Sequence, residues 1–307
     1  MGQTVITVDD KTLSTMTNYY QPYQTKTPQH AVFQAKTNGV TITAYRSKKV
    51  MFQGERSDEE ATRWQSGPSI QAKPSSVNDH RYAPSKALFN QSIIGSDETG
   101  TGDYFGPITV VSAYVRADQV ALLKELGVKD SKHLTDLSIV KLAKTILKLD
   151  LPYSLVVLHN EKYNQLQSRG WSQGKMKTML HHTAISHLLT KLSPVKPDGI
   201  LIDQFSTPQV YQKHLSSEGK QLHPNTYFMT KAESHAIAVA TASILARYSF
   251  VKEMDKLSKQ AGFTIPKGAS KKVDQVAAQL IKQKGKEALT SYAKVHFKNT
   301  EKAATYL

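Results

Sequence analysis

Residues 93–107 read Ile93-Ile94-Gly95-Ser96-Asp97-Glu98-Thr99-Gly100-Thr101-Gly102-Asp103-Tyr104-Phe105-Gly106-Pro107. A β-branched strand runs into two adjacent carboxylates and then a glycine-rich turn that lets bare backbone approach a ligand. A second apolar strand follows directly at 108–115. Paired carboxylates beside open backbone N–H groups suit metal-assisted chemistry on a phosphate. Two-metal hydrolysis needs more carboxylates from other elements, because hard divalent cations prefer oxygen and keep positions for water and substrate phosphate. Asp203, closing Gly199-Ile200-Leu201-Ile202-Asp203, and Glu233, after Lys231-Ala232 at the expected start of a long helix, have that kind of address. Each also has a plain structural reading, as a turn former or as a partner of the helix dipole. Neighbouring strand residues point to opposite faces, so Asp97 and Glu98 share a site only where the strand bends or ends. Asp103, just behind the glycine pair, reads as a turn former.

Other chemistries find less support. The glycine-rich turn lacks the Gly-Lys-Ser/Thr end of a phosphate-binding loop, and no nucleophile elbow is present for a serine triad. The chain has no cysteine, so a metal must sit on oxygen or imidazole. His181 and His182 fall in a helix with Met176, Met179 and Leu180, a setting that favours packing, capping or substrate contact over metal ligation.

The elements that must position these residues fall into two groups. Residues 1–66 predict a small α+β unit: a strand at 4–8, a helix at 11–20, strands at 31–37, 40–47 and 49–53, and a closing helix. Asn38-Gly39 marks a hairpin, and Ser57-Asp58-Glu59-Glu60 has capping-box spacing. Residues 67–90, with three prolines, several serines and no apolar periodicity, read as a linker. From 91 to 307 strands and helices alternate, which argues for an α/β mixed sheet flanked by helices. Strands are expected at 93–97, 108–115, 153–159, 199–203 and 226–230, with helices near 118–126, 135–149, 174–191 and 233–257. In the last of these, Ile237, Ile244, Leu245, Tyr248 and Val251 form one apolar stripe.

At 307 residues with a net charge of +15, the chain is long enough for two domains and basic enough to attract a polyanion along a face. Residues 259–307 contribute +7 of that excess, and 31–56 carry five basic residues against Glu55 alone. Nucleic acid is therefore the leading partner. The N-terminus has neither a basic start nor an apolar secretory core, and no apolar run approaches the length of a membrane span, so a soluble cytoplasmic monomer is expected.

With these residues in view, the chain resembles the type 2 ribonucleases H, and among them the ribonuclease HIII group. The resemblance rests on residues 97–107, on Gly127-Val128-Lys129-Asp130-Ser131-Lys132, on Ile202-Asp203, and on Lys231-Ala232-Glu233-Ser234 leading into Ala242-Ser243-Ile244-Leu245-Ala246-Arg247. Val295-His296-Phe297-Lys298-Asn299-Thr300-Glu301-Lys302-Ala303 completes it. It implies a ribonuclease H-like fold preceded by a TATA-box-binding-protein-like substrate domain. It also implies that Asp97, Glu98, Asp203 and Glu233 hold two divalent ions, Mg²⁺ or Mn²⁺, for hydrolysis of the RNA strand of RNA–DNA hybrids. In ribonuclease HII the glycine loop reads Gly-Arg-Gly and the fourth acid is usually Asp; here Gly100-Thr101-Gly102 and Glu233 favour HIII. A ribonuclease HII-like junction endonuclease and a non-catalytic hybrid-binding protein remain as alternatives. The backbone at Gly100, Thr101 and Gly102 is the natural reader of a 2′-hydroxyl. Ser131, Lys132, Lys177 and Lys231 are candidate phosphate contacts, with solvated surface as the alternative for each lysine. In the N-terminal unit Phe33 and Tyr45, with Lys36 or Lys48 nearby, suit stacking on sugar or base, with core packing as the alternative.

Overall fold

The structure, a computed structural model, describes residues 2–28, 31–64, 80–129 and 134–307. The chain divides into two compact units, Met1–Ser75 and Ser76–Leu307. Most of the stretch expected as a linker lies outside the described residues, as do Ser131 and Lys132. Residues 80–90, expected in that linker, pack onto the second unit: the Phe228 amide donates to the Tyr82 carbonyl at 2.9 Å, and Leu88 is buried.

The first unit contains β1 (Gln3–Thr7), α1 (Asp10–Tyr19), β2 (Ala31–Thr37), β3 (Val40–Tyr45), β4 (Lys49–Gln53) and α2 (Ser57–Thr62). Its antiparallel sheet has the order β1-β4-β3-β2. The β2–β3 hairpin turns at Asn38 and Gly39, both at positive φ, the backbone that an Asn-Gly pair adopts most easily. Asp9 caps α1 by accepting the Thr12 amide at 2.7 Å. The expected capping box at Ser57 does not form: Arg56 occupies the cap position without a side-chain bond. Glu60 instead turns into the core to accept the Tyr20 hydroxyl at 2.6 Å, because that buried phenol needs an acceptor.

Phe33 belongs to the apolar core of this unit, 1% exposed among Tyr20, Ala35, Ile42 and Phe52. This corrects its assignment as a stacking residue. Strand alternation puts Lys36 on the opposite face from Phe33, the face on which Gln34 donates to Thr43 at 3.0 Å. Tyr45 ends β3 half-buried, opposite Ala31. Lys48 lies at the other end of the sheet from the Asn38-Gly39 turn, in the β3–β4 turn, where it pairs with Asp10 at 2.7 Å.

The second unit is built on a five-stranded sheet of order β7-β6-β5-β8-β9, from β5 (Ile93–Thr99), β6 (Ile108–Val115), β7 (Tyr153–Leu158), β8 (Gly199–Asp203) and β9 (Thr226–Met229). β5, β6 and β7 pair antiparallel, whereas β5, β8 and β9 run parallel. Its helices are α3 (Val120–Glu125), α4 (Asp136–Leu147), α5 (Asn160–Ser168), α6 (Gln173–Leu192), α7 (Pro208–Ser216), α8 (Ile237–Ala261), α9 (Lys271–Lys284), α10 (Leu289–Tyr292) and α11 (Lys298–Ala303). No helix among the described residues is long and apolar enough to cross a membrane.

α8 and α4 cover one face of the sheet, in a core with Ile93, Val111 and Val115. α6 and α7 cover the other, with Ile94, Ile200 and Ile202. A single buried stripe holds only in the second half of the long helix, where Phe250, Met254 and Ala261 are buried and the expected Tyr248 and Val251 are half-buried. From Ile237 to Ala246 every residue of α8 is buried, because this segment crosses the centre of the sheet under α4. Gly95 makes that crossing possible: a Cβ there would lie 2.2 Å from the backbone of Ala238 and Val239.

The basic C-terminal segment is a packed layer. α9 to α11 form a core with Tyr104 and Phe105, which follow the glycine-rich turn.

Candidate active site

Alternation along β5 decides where its two acids go. Ile93, Gly95 and Asp97 face α8, while Ile94, Ser96 and Glu98 face α6. β8 runs parallel to β5 with Ser96 opposite Ile202, so Asp97 and Asp203 come next in step on the α8 face. Glu233 reaches the same place from a single 3₁₀ turn, Ala232–Ser234; α8 itself begins at Ile237, four residues later than a helix opening on Glu233 requires. The four carboxylates expected from the sequence line one cleft of about 300 Å³, together with the turn from Thr99 to Asp103, Ser243 and Arg247. A larger cleft of about 660 Å³ lies at the opposite end of the parallel strands, beside Asn225 and Thr226. It is lined by Arg81, Lys220, His223 and neutral residues, and has no carboxylate to offer a cation.

On the α8 face the acids crowd one another. Asp97 is buried; its Oδ1 accepts the Glu98 amide at 2.7 Å, and Ser243 hydrogen-bonds to its side chain. Burial, and then the charges of Glu98 and Asp203, hold the Asp97 carboxyl well above the usual carboxylate range. Asp203 is pushed up to about 7 by burial and by Glu233, although the Ala232 amide donates to its Oδ1 at 2.8 Å. The Asp203 and Glu233 side chains hydrogen-bond to one another.

Glu98 has the opposite surroundings. Lys177 donates to its Oε1 at 2.9 Å, and His181 Nε2 approaches its Oε2 at 2.9 Å. Burial raises its pKa, but the hydrogen bond and charge of His181, followed by those of Lys177, outweigh it and leave Glu98 below the usual range. With Glu98 drawn to the α6 side, no three of His, Asp and Glu among the described residues stand in ready-made metal-ligand geometry. The donor set nevertheless fits divalent ions. All four groups are hard oxygen donors lining one cleft, and the carboxyls of Asp97 and Asp203, both raised by burial and by neighbouring acids, are those a divalent cation would compensate.

The glycine-rich turn is fixed from outside. Gly100 is required by a φ of +99° and by the Pro107 carbonyl, 2.2 Å from where a Cβ would be. Gly102 has neither constraint: a Cβ there would meet nothing within 4 Å. Gln173 donates to the Thr101 carbonyl at 2.9 Å. Asp103 behaves as the expected turn residue, its Oδ1 accepting the Gly268 amide at 2.5 Å. Lys294, wholly buried, donates to the carbonyls of Asp103 at 2.8 Å and Gly106 at 2.6 Å; burial lowers its pKa to about 7.

Of the other expected contacts, Lys231 is exposed beside Glu233 in a left-handed backbone conformation. Lys177, expected at a phosphate, is engaged with Glu98. His181 is no metal ligand in this arrangement but a partner of Glu98, a role its setting among apolar helix residues concealed. Ser243 and Arg247 were missed as cleft residues, although their i, i+4 spacing in a stretch already singled out puts them on one side of α8. Arg247 also pairs with Asp136 at 3.0 Å.

Residues 94–300 match the family described as Ribonuclease HII, and residues 3–77 match a domain of unknown function, DUF3378. Over all of both chains, the sequence is 54% identical to ribonuclease HIII of Oceanobacillus iheyensis (strain DSM 14371). It is 56% identical to ribonuclease HIII of Bacillus mycoides (strain KBAB4), over 93% of this chain and 92% of that one. The crystal structure of Bst-RNase HIII in complex with Mn²⁺ superposes with a TM-score of 0.70 at 40% identity, covering 99% of this chain and 98% of the other.

Proposed function

Because the chain belongs to the ribonuclease HII family, among its ribonuclease HIII members, we propose that it is an endoribonuclease that hydrolyses the RNA strand of RNA–DNA hybrids. In this reading Asp97, Glu98, Asp203 and Glu233 hold two divalent ions, Mg²⁺ or Mn²⁺. The observation that carries it is the convergence of four acids, from β5, β8 and the turn before α8, on one cleft beside the glycine-rich turn.

Bound there, two divalent ions supply a lowered pKa for an attacking water and charge to balance the departing 3′-oxygen in an in-line displacement. The protein supplies the rest. Asp97 and Asp203, side by side at the ends of adjacent parallel strands, present oxygens to the same point. Ser243 fixes the rotamer of Asp97, and the Ala232 amide fixes that of Asp203. Cleavage leaves a 5′-phosphate and a 3′-hydroxyl. The 2′-oxygen takes no part in the attack, so preference for RNA comes from recognition of the 2′-hydroxyl. The turn at Gly100, Thr101 and Gly102 is suited to reading it, because Gln173 and Lys294 hold the turn in place and Gly102 keeps a side chain from standing between backbone and sugar. Lys231 is a phosphate contact beside the acids, with Ser131 and Lys132 as further candidates. Tyr45, Lys36 and Lys48 belong to a basic N-terminal unit that adds salt-sensitive affinity. One chain provides all four acids, so a monomer suffices; the cytoplasm is inferred as its place of action.

The test is Asp203→Asn. Mg²⁺-dependent cleavage of a labelled RNA–DNA hybrid is expected to vanish while the hybrid is still bound. Turnover that survives the substitution contradicts the assignment. A chelator control with the unsubstituted protein separates a nuclease from a hybrid-binding protein.

A further inference from the structure

Four side chains form a polar chain on the α6 side of β5, extended by a 3.0 Å contact between the Ser96 and Ser112 hydroxyls. Ser96 and Glu98, two residues apart, point the same way from the strand; Lys177 and His181, four residues apart, point back from α6. His181 is wholly buried, with Nδ1 2.7 Å from the Ser96 hydroxyl and Nε2 2.9 Å from Glu98 Oε2. Nε2–H donates to Glu98 Oε2, and Nδ1 shares a hydrogen bond with the Ser96 hydroxyl, which also reaches the Val111 carbonyl at 3.3 Å. Both ring nitrogens are thus tied to one strand, and a movement of the ring away from Glu98 also breaks its bond to Ser96. Lys177 differs. Among the described residues its ammonium has one carboxylate partner, Glu98, and it rests 4.1 Å from the centroid of the Phe205 ring at the end of a flexible four-carbon stem. It can withdraw from Glu98 without disturbing the backbone.

We propose that Lys177 is the resting counter-charge of Glu98, displaced when a divalent ion takes that carboxylate, and that His181 stays in place as the positioning residue that aims it. This rests on the two-ion reading above. It explains why Glu98 stands apart from Asp97, Asp203 and Glu233: an internal cation occupies the oxygen that the external one needs. The cluster thereby sets how strongly the protein holds its metal, trading affinity for a buried carboxylate that is never left uncompensated.

The experiment titrates the full chain with Mn²⁺ alone, without nucleic acid, following free Mn²⁺ by electron paramagnetic resonance. Removing an internal competitor raises apparent affinity, so Lys177→Met is expected to bind Mn²⁺ about tenfold more tightly than the unsubstituted protein. Loss of an outer-shell carboxylate orienter weakens binding, so His181→Asn is expected to bind about 10- to 100-fold more weakly. Any lost positive charge near a cation site favours binding to some degree, so the decisive arm is Lys177→Met in a Glu98→Gln background, where its tightening should disappear. Equal tightening in both backgrounds, no change in Lys177→Met, or unchanged affinity in His181→Asn overturns the proposal. Should His181→Asn fail to fold, Ser96→Ala, which removes only the hydroxyl that fixes the ring, is expected to weaken Mn²⁺ binding, and unchanged affinity there counts equally against it. No Mn²⁺ binding by the unsubstituted protein overturns the two-ion reading as well; normal binding with unmoved variants overturns this inference alone.

Discussion

Asp97 and Glu98 are adjacent in sequence and occupy opposite electrostatic surroundings. On the α8 side Asp97 meets other carboxylates, and its charged form is disfavoured. On the α6 side Glu98 meets an ammonium and an imidazole, and its charged form is favoured. The period of the β-strand alone produces this difference, by sending neighbours through opposite faces of the sheet onto different helices. A strand that ends in two acids is therefore a device for giving a single site two unlike carboxylates. One is compensated in advance, and the other is left for a ligand to compensate.

The largest way to break the comparison is to separate β5 from α8. Gly95→Val places a side chain against the backbone of Ala238 and Val239, and is expected to cost more than about 4 kcal/mol, seen as loss of soluble folded protein. Next, the two acids should respond with opposite sign when neutralised in chelator. Glu98→Gln removes the charged acceptor of both Lys177 and the buried His181 and should destabilise the fold by about 2 kcal/mol. Asp97→Asn relieves repulsion and should stabilise it by up to about 2 kcal/mol while removing activity. Urea denaturation of both variants checks the pair, and a shared sign contradicts the contrast.

Lys294 sharpens the contrast as a buried ionisable group whose hydrogen bonds go to backbone carbonyls. Its folded pKa of about 7 lies below the 10.5 of an unperturbed lysine, so between those values the unfolded chain binds the extra proton. Its contribution to stability is full above pH 10.5 and is lost as pH falls to 7. Urea midpoints should rise with pH across that window, by at most about 1.4 kcal/mol per unit, and Lys294→Met should abolish the slope.

Much of this site was legible because its signals are local. The β-branched run into Asp97-Glu98, the Ile202-Asp203 strand end and the Asn38-Gly39 turn each carry their reading within a few residues. What escaped depends on partners distant in the chain. His181 reads as a core histidine because Ser96 and Glu98 are more than 80 residues away. Glu60 reads as a capping residue until Tyr20 is seen to need an acceptor 40 residues back. Phe33 alternates like a surface-strand aromatic but fills the N-terminal core. The last 49 residues look like a charged tail because their ten lysines face only three acids, yet Tyr104 and Phe105 pack into the core they build and Lys294 locks the turn that follows the acids.

The most direct test of the two-ion site is anomalous diffraction from crystals of the unsubstituted protein soaked with Mn²⁺. Two Mn²⁺ peaks are expected in the cleft lined by Asp97, Glu98, Asp203 and Glu233, with Lys177 withdrawn from Glu98. An empty cleft, or Mn²⁺ bound only elsewhere on the molecule, contradicts the assignment.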